Sequence, residues 1–388
     1  METLQPILKR GRNVWDQINM PKQEFLQRVE RIRLKMESEG LDVLLLYGDI
    51  HDYGDSCYIS NFLVRLPAGA LVVLPRTGEP TLFFVGSSRE LKLGQRVTWI
   101  DDIRSSLAGA FCSTGSLAGD CVNYLKEKGY GSSKIGMAGL RQFMSHGEFQ
   151  RLTEGVQESE FVDAGHIVRN MRMIKSAREC DQIRRAARIV RNTLDAIPGM
   201  VLPKMDEWSL EIKIDWAARI QGPDDVRILL GRPKEAGWAL RPDGDSVLTN
   251  EAAIIVYLAV SFEQYWAEAA RTFVVENGNL QETESEKVIG LYRQIAAAMK
   301  PGKPAAQFCR EAIEEIRAKA GGYISDYGLG DGVGLSSSEA PFLDGKDTTP
   351  FGEGMCLSLR MTIPDEKTGS IMIGNTICLT DAGAEVIT

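Results

Sequence analysis

Apolar residues recur every three to four positions near the start of the chain. Phe25, Val29, Ile32 and Met36 fall on one stripe of PKQEFLQRVERIRLKMESEG, which predicts an amphipathic helix stopping at Gly40. The pattern then changes. LDVLLLY is a continuous apolar run of the kind carried by a strand covered on both faces. AGALVVLPRTGEPTLFFVG reads as strand, glycine-containing turn and strand, GSLAGDCVNYLKEKG as a second helix, and KIGMAG as a short strand. This alternation continues to about residue 165 and predicts an α/β layered domain.

HIVRNMRMIKSARECDQIRRAARIVRNTLDAIPGM reads as one long charged helical stretch with a breaker at Pro198. The domain boundary is placed near its start, giving residues 1–167 and 168–388. Beyond it, MDEWSLEIKIDWAARIQG, ETESEKVIGLYRQIAAAMKPG and AAQFCREAIEEIRAKAGG carry helical periodicity. AAIIVYLAV, ARTFVVENG, GMCLSLRMTIP and GSIMIGNTICLTDAG carry strand patterns. Helices on one side of a mainly antiparallel sheet predict an α+β second domain. No repeat of 20–50 residues and no low-complexity segment interrupts this reading.

Composition narrows the class. At 44% hydrophobic and 25% charged the 388 residues can bury a sizeable core, and a net charge of −8 disfavours nucleic acid or an anionic membrane as partner. No run approaches the roughly 18 apolar residues of a membrane helix. METLQPILKRGRNVW is mixed and charged, without a signal-peptide core, so a cytoplasmic location is expected. Seven cysteines (57, 112, 121, 180, 309, 356, 378) are odd in number and include no CxxC pair, the pattern of reduced thiols and not of disulfides or a zinc site. The three histidines, His51, His146 and His166, all lie in the first half, which argues against a cysteine–histidine nucleophile.

Four segments together carry a family resemblance. RMIKSARECDQIRRAARI, the hairpin-like VYLAVSFEQYWAEAARTF, the glycine-rich GDGVGLSSSEAP, and the closing GMCLSL and GNTICLTDAGAEVIT resemble the creatinase, prolidase and aminopeptidase P group. The resemblance spans essentially the whole chain. It implies an α/β N-terminal creatinase-type domain followed by an α+β pita-bread C-terminal catalytic domain.

Metal-dependent members of that group hold two divalent ions with two Asp, one His and two Glu. Carried over residue by residue, those positions are Tyr257, Glu268, Asp331, Arg360 and Gly374, the last followed by Asn375. Only Glu268 and Asp331 could ligate a hard cation well, and a guanidinium among such ions would be strongly repulsive. The resemblance therefore implies a site without metal or other cofactor, similar in logic to creatinase. Creatinase-like catalysis leans on a histidine in this domain, and none follows His166.

Two readings of the altered pocket follow. In one, Arg360 anchors a substrate carboxylate, Glu268 or Asp331 is the general base, and Tyr257 donates a hydrogen bond to developing charge. In the other, Arg360 replaces the metal charge and ties Glu268 and Asp331 together. Glu339 is a further catalytic candidate, or an acceptor for loop amides. Asn375 and Trp238 are substrate-side candidates, the latter also readable as an ordinary core tryptophan. Dimeric relatives imply a homodimer in which His51, Phe62 and Arg65 reach the partner's pocket.

The leading expectation is a metal-independent hydrolase or lyase cleaving a C–N or similar bond of a small polar carboxylate-bearing substrate. The alternative is a catalytically silent binding or partner protein. An Xaa-Pro metallo-aminopeptidase is the third reading, opposed by Tyr257, Arg360 and Gly374.

Overall fold

The computed structural model describes residues 14–64, 69–86, 88–106, 115–200, 205–235, 237–241, 244, 247–249, 252–276, 279–283 and 286–388. The chain divides into two compact units, Met1–Arg172 and Met173–Thr388. The division falls five residues later than the sequence pattern suggests, because the helix Gly165–Met173 runs up to it. The single long helical stretch expected there is in fact two helices. Ser176 opens the second, Ala177–Ala196, by accepting the Glu179 amide, while the Glu179 carboxylate accepts the Ser176 amide. This reciprocal cap satisfies two donors that a continuous helix would not leave free.

The first unit is built on a six-stranded mixed sheet. Its strands are β1 (Val43–Gly48), β2 (Ala70–Pro75), β3 (Thr81–Phe84), β4 (Asp102–Ser105), β5 (Lys134–Ala138) and β6 (Glu160–Asp163), in the order β4-β3-β2-β1-β5-β6. The helix Lys22–Ser38 buries Phe25, Val29, Ile32 and Met36, the stripe read from the sequence.

Among its described residues the second unit carries nine strands: β7 (Asp225–Gly231), β8 (Ala253–Phe262), β9 (Tyr265–Glu276), β10 (Asn279–Glu282), β11 (Gly330–Gly332), β12 (Glu339–Phe342), β13 (Cys356–Asp365), β14 (Gly369–Thr380) and β15 (Gly383–Val386). Their order is β12-β11-β13-β14-β9-β8-β7, with β10 beside β9 and β15 beside β14. All its strand pairs are antiparallel. The β8–β9 hairpin turns on Glu263 and Gln264, with φ of 47° and 71°, values a two-residue hairpin turn demands.

Register, more than any loop, positions the chemistry. Arg360 lies opposite Gly374, Gly374 opposite Ala270, and Ala270 opposite Tyr257, one row across four strands. The next row on the same face, two residues along each strand, contains Asp331, Ser358 and Thr376. Gly330 lets β11 approach: a Cβ there would lie 1.8 Å from the Ser358 carbonyl oxygen, at a φ of +131°.

One helix, Glu207–Arg219, faces two ways. Leu210, Ile214 and Ala218 are buried, while Trp208, Ile212, Trp216 and Ile220 continue an i, i+4 stripe on the other side at 59%, 47%, 65% and 63% exposure. Among the described residues, no helix is long and apolar enough to cross a membrane.

Candidate functional site

Glu268 sits at the centre of the second unit and is 2% exposed. Its side chain accepts from three donors: the Tyr257 hydroxyl and Arg360 Nη1 (2.9 Å), together with the Ser358 hydroxyl. Its backbone is tied to Thr376, whose hydroxyl accepts the Glu268 amide (2.8 Å) and donates to the Glu268 carbonyl (2.9 Å). Arg360 places its other terminal nitrogen on Asp331 Oδ1 at 3.3 Å. Asp331 also accepts from the Ser338 hydroxyl, the exposed edge of the network. The four residues expected to converge do converge, around one guanidinium.

Gly374 explains how the arginine fits. A Cβ at Gly374 would lie 3.1 Å from Arg360 Cγ and 3.4 Å from Ala270 Cβ. The glycine and the arginine are cross-strand partners, so losing a side chain from β14 makes room for the stem arriving from β13.

Burial dominates the electrostatics. It pushes the Glu268 carboxyl up, against the pull of Arg360 and of the Ser358 and Tyr257 hydroxyls. Asp331 is raised for the same first reason, again opposed by Arg360. Burial, then the Glu268 charge, lifts the Tyr257 phenol far above its ordinary range. Burial alone would lower Arg360; the two carboxylates outweigh it and hold the guanidinium charged. Three convergent donors suit an ionised Glu268 better than a protonated one, so we read the cluster as one buried cation bridging two carboxylates.

The remaining sequence candidates lie as follows. Glu339 pairs with Lys175 at 2.8 Å, both side chains being almost out of water, and Glu339 Oε1 occupies space a Cβ at Gly334 would need. Asn375 is buried and its oxygen accepts from Arg271 Nη2 at 2.6 Å. Trp238 stacks on Tyr327 at 5.4 Å and packs with Tyr257 against Ile255, Ala270 and Met372. In the first unit, His51 is exposed, with its amide held by Asp49 at 2.7 Å, and Phe62 packs on Phe84 at 5.3 Å. Arg65 lies outside the described residues.

Sequence reasoning missed two members. Ser358, two residues before Arg360 on the same face of β13, completes the Glu268 shell; the alternation in GMCLSLRM was the available signal. Arg271 bonds the Gly374 carbonyl at 2.7 Å and Asn375, locking β14 behind the site. The Arg-Thr pair that closes VYLAVSFEQYWAEAARTF was the available signal.

Comparison with known proteins agrees with this architecture. Residues 181–381 match the Metallopeptidase family M24, and residues 28–174 match the Creatinase/Prolidase N-terminal domain. The Xaa-Pro dipeptidase of Pyrococcus furiosus is 24% identical over 255 residues, covering 64% of this chain and 73% of that protein. The prolidase structure from Pyrococcus horikoshii superposes with a TM-score of 0.76 at 21% identity, over 93% of this chain and 98% of that one. The N-terminal domain of the FACT complex subunit SPT16 from chickpea gives 0.67 at 15% identity, over 94% of this chain and 95% of that one. At such identities the two structures speak for the fold alone. The family match covers more than half of the chain and agrees with its two units: this protein belongs to metallopeptidase family M24, a hydrolase family, with a creatinase/prolidase N-terminal domain ahead of the pita-bread domain.

Proposed function

We propose that the central site of this chain works without divalent metal, and that the protein binds a partner or small polar ligand instead of hydrolysing peptides. The carrying observation is Arg360 bridging Glu268 and Asp331. Two divalent ions bring four positive charges and need several anionic or imidazole donors. Here two carboxylates are present, a fixed cation already bonds both, and its stem fills the space beside Gly374. The donor set does not fit such ions. Glu268, 2% exposed and holding three donors, is also shut off from the water a general base would activate. The Pyrococcus relative is an Xaa-Pro dipeptidase, and the chickpea domain, part of a complex, is an instance of the fold in another setting.

A second reading is favoured by the Ser338 edge. Asp331 is held there by an exposed hydroxyl, so a small polar substrate could displace Ser338 and use Asp331 as base, with Arg360 steadying its charge. That is the metal-independent hydrolase.

One experiment separates the readings. Purified protein is assayed on Xaa-Pro dipeptides, with and without manganese(II), while manganese uptake is measured. No uptake, no hydrolysis and an unchanged melting temperature in chelator are expected. Stoichiometric manganese or metal-stimulated cleavage would overturn the proposal. Metal-independent turnover that Asp331→Asn abolishes would establish the second reading.

Homodimerisation is proposed with it, through the exposed stripe and not the N-terminal edge that the resemblance implies. Two antiparallel copies of Glu207–Arg219 packed stripe to stripe would set Trp208 against Ile220 and Ile212 against Trp216, a self-complementary face. Sedimentation should show a dimer at micromolar concentration and a folded monomer for Trp216→Glu. A wild-type monomer would remove this part.

A further inference from the structure

On the same face of β13 and β14 as the charge cluster, one row beyond Ser358 and Thr376, Cys356 and Cys378 stand directly opposite each other. Their sulfurs are 2.9 Å apart. Cys180, from the first turn of the helix Ala177–Ala196, brings a third sulfur to 4.0 Å from Cys356. All three sulfurs lie within 4.8 Å of one another, and among the described residues this is the one such group of potential ligands. Cys57, Cys121 and Cys309 are buried away from this cluster.

We propose that Cys180, Cys356 and Cys378 form a soft-metal site for a single thiophilic d10 cation, with copper(I) the ion that three sulfurs alone satisfy. An ion about 2.3 Å from each of three sulfurs needs them about 4 Å apart. Cys180 and Cys356 already meet this spacing, and Cys378 has to draw back by about 1 Å, within the reach of a side-chain torsion. Thiolates select copper(I) or zinc over hard ions. Zinc prefers a fourth ligand, and among the described residues no carboxylate or imidazole joins the three sulfurs. Cys356 and Cys378 are almost completely buried, while Cys180 sits at the margin and offers the way in. Binding releases the thiol protons, and the positive charges of Arg184 and Lys175, which act on Cys180, offset part of the negative charge that results. The site is separate from the Glu268 cluster in both ligands and chemistry. It stands whether or not that cluster is metal-free.

The test uses the reduced, metal-stripped full chain, titrated anaerobically with copper(I) held by a coloured competing chelator. One ion per chain should leave the chelator. Cys180→Ser should weaken uptake at least tenfold, and the triple serine variant at least a hundredfold, whereas Cys309→Ser should leave it unchanged. X-ray absorption of the loaded wild type should find a shell of sulfur only, an observation that holds even if the triple variant fails to fold. No transfer from the chelator, transfer that survives in the triple variant, or a nitrogen and oxygen shell would overturn the site. So would peroxide converting Cys356 and Cys378 to a disulfide in protein that takes up no copper.

Discussion

Arg360→Met should lower the stability of the second unit by about 3–5 kcal/mol near neutral pH, the usual cost of leaving buried charges without their partner. The variant strands Glu268 and Asp331 as close like charges, with Glu268 out of reach of water. The pH dependence follows from their directions of shift. Both carboxyls already titrate above their unfolded values in the wild type, and removing the guanidinium raises them further. A carboxyl with a raised native value binds its proton more readily folded than unfolded. Its penalty is fully felt above the native value and fades as pH falls through that value toward the unfolded one. The difference in melting temperature between Arg360→Met and wild type should therefore shrink in acid. The triple variant Arg360→Met, Glu268→Gln, Asp331→Asn should recover most of the loss at neutral pH, since no charge remains to be stranded. A stable Arg360→Met protein with no acid recovery would show that Arg360 serves a ligand and not its own carboxylates.

Glu339→Ala should be of similar size, about 3–5 kcal/mol. Lys175, 2% exposed at its side chain, bonds Glu339 at 2.8 Å and the Met173 carbonyl at 3.4 Å. Without the carboxylate a buried ammonium is left with one weak neutral acceptor, and burial disfavours the charged form. Adding Lys175→Met should recover most of the loss, since no charge is then left to strand. Melting temperatures of the single and double variants against wild type check it. A Glu339→Ala protein with unchanged stability would return Glu339 to the pool of catalytic candidates.

These two predictions reach different parts of what could be read beforehand. The convergence of Tyr257, Glu268, Asp331 and Arg360 was legible through the family resemblance, and the strand ladder of one sheet is what brings them together. Which partner each side chain takes was not legible. Arg360 could equally have pointed at a substrate; that it holds Glu268 and Asp331 depends on the empty space at Gly374 and on a register no local pattern encodes. Asn375 and Glu339, read as candidates for ligand and catalysis, have their oxygens occupied by Arg271 and Lys175, residues 104 and 164 positions away.

The same division holds at larger scale. By itself, the sequence determined the helix at Phe25–Met36, the strands around LDVLLLY and IIVYLAV, the two fold classes and the identity of the charged residues at the centre. The helix, the strands and the fold classes are written in short-range periodicity, whereas the central residues came from the family resemblance. It predicted the helix Glu207–Arg219 but not its outward face, since apolar residues lie on both sides and only packing chooses which is covered. It also read seven scattered cysteines as independent thiols. Tertiary structure alone decided that three of them meet, Cys356 and Cys378 through a strand register 22 residues apart and Cys180 through a helix 176 residues from its nearest sulfur. Periodicity fixes which side of an element is apolar, whereas side-chain chemistry is settled by long-range register and packing, where sequence separation carries no information about distance.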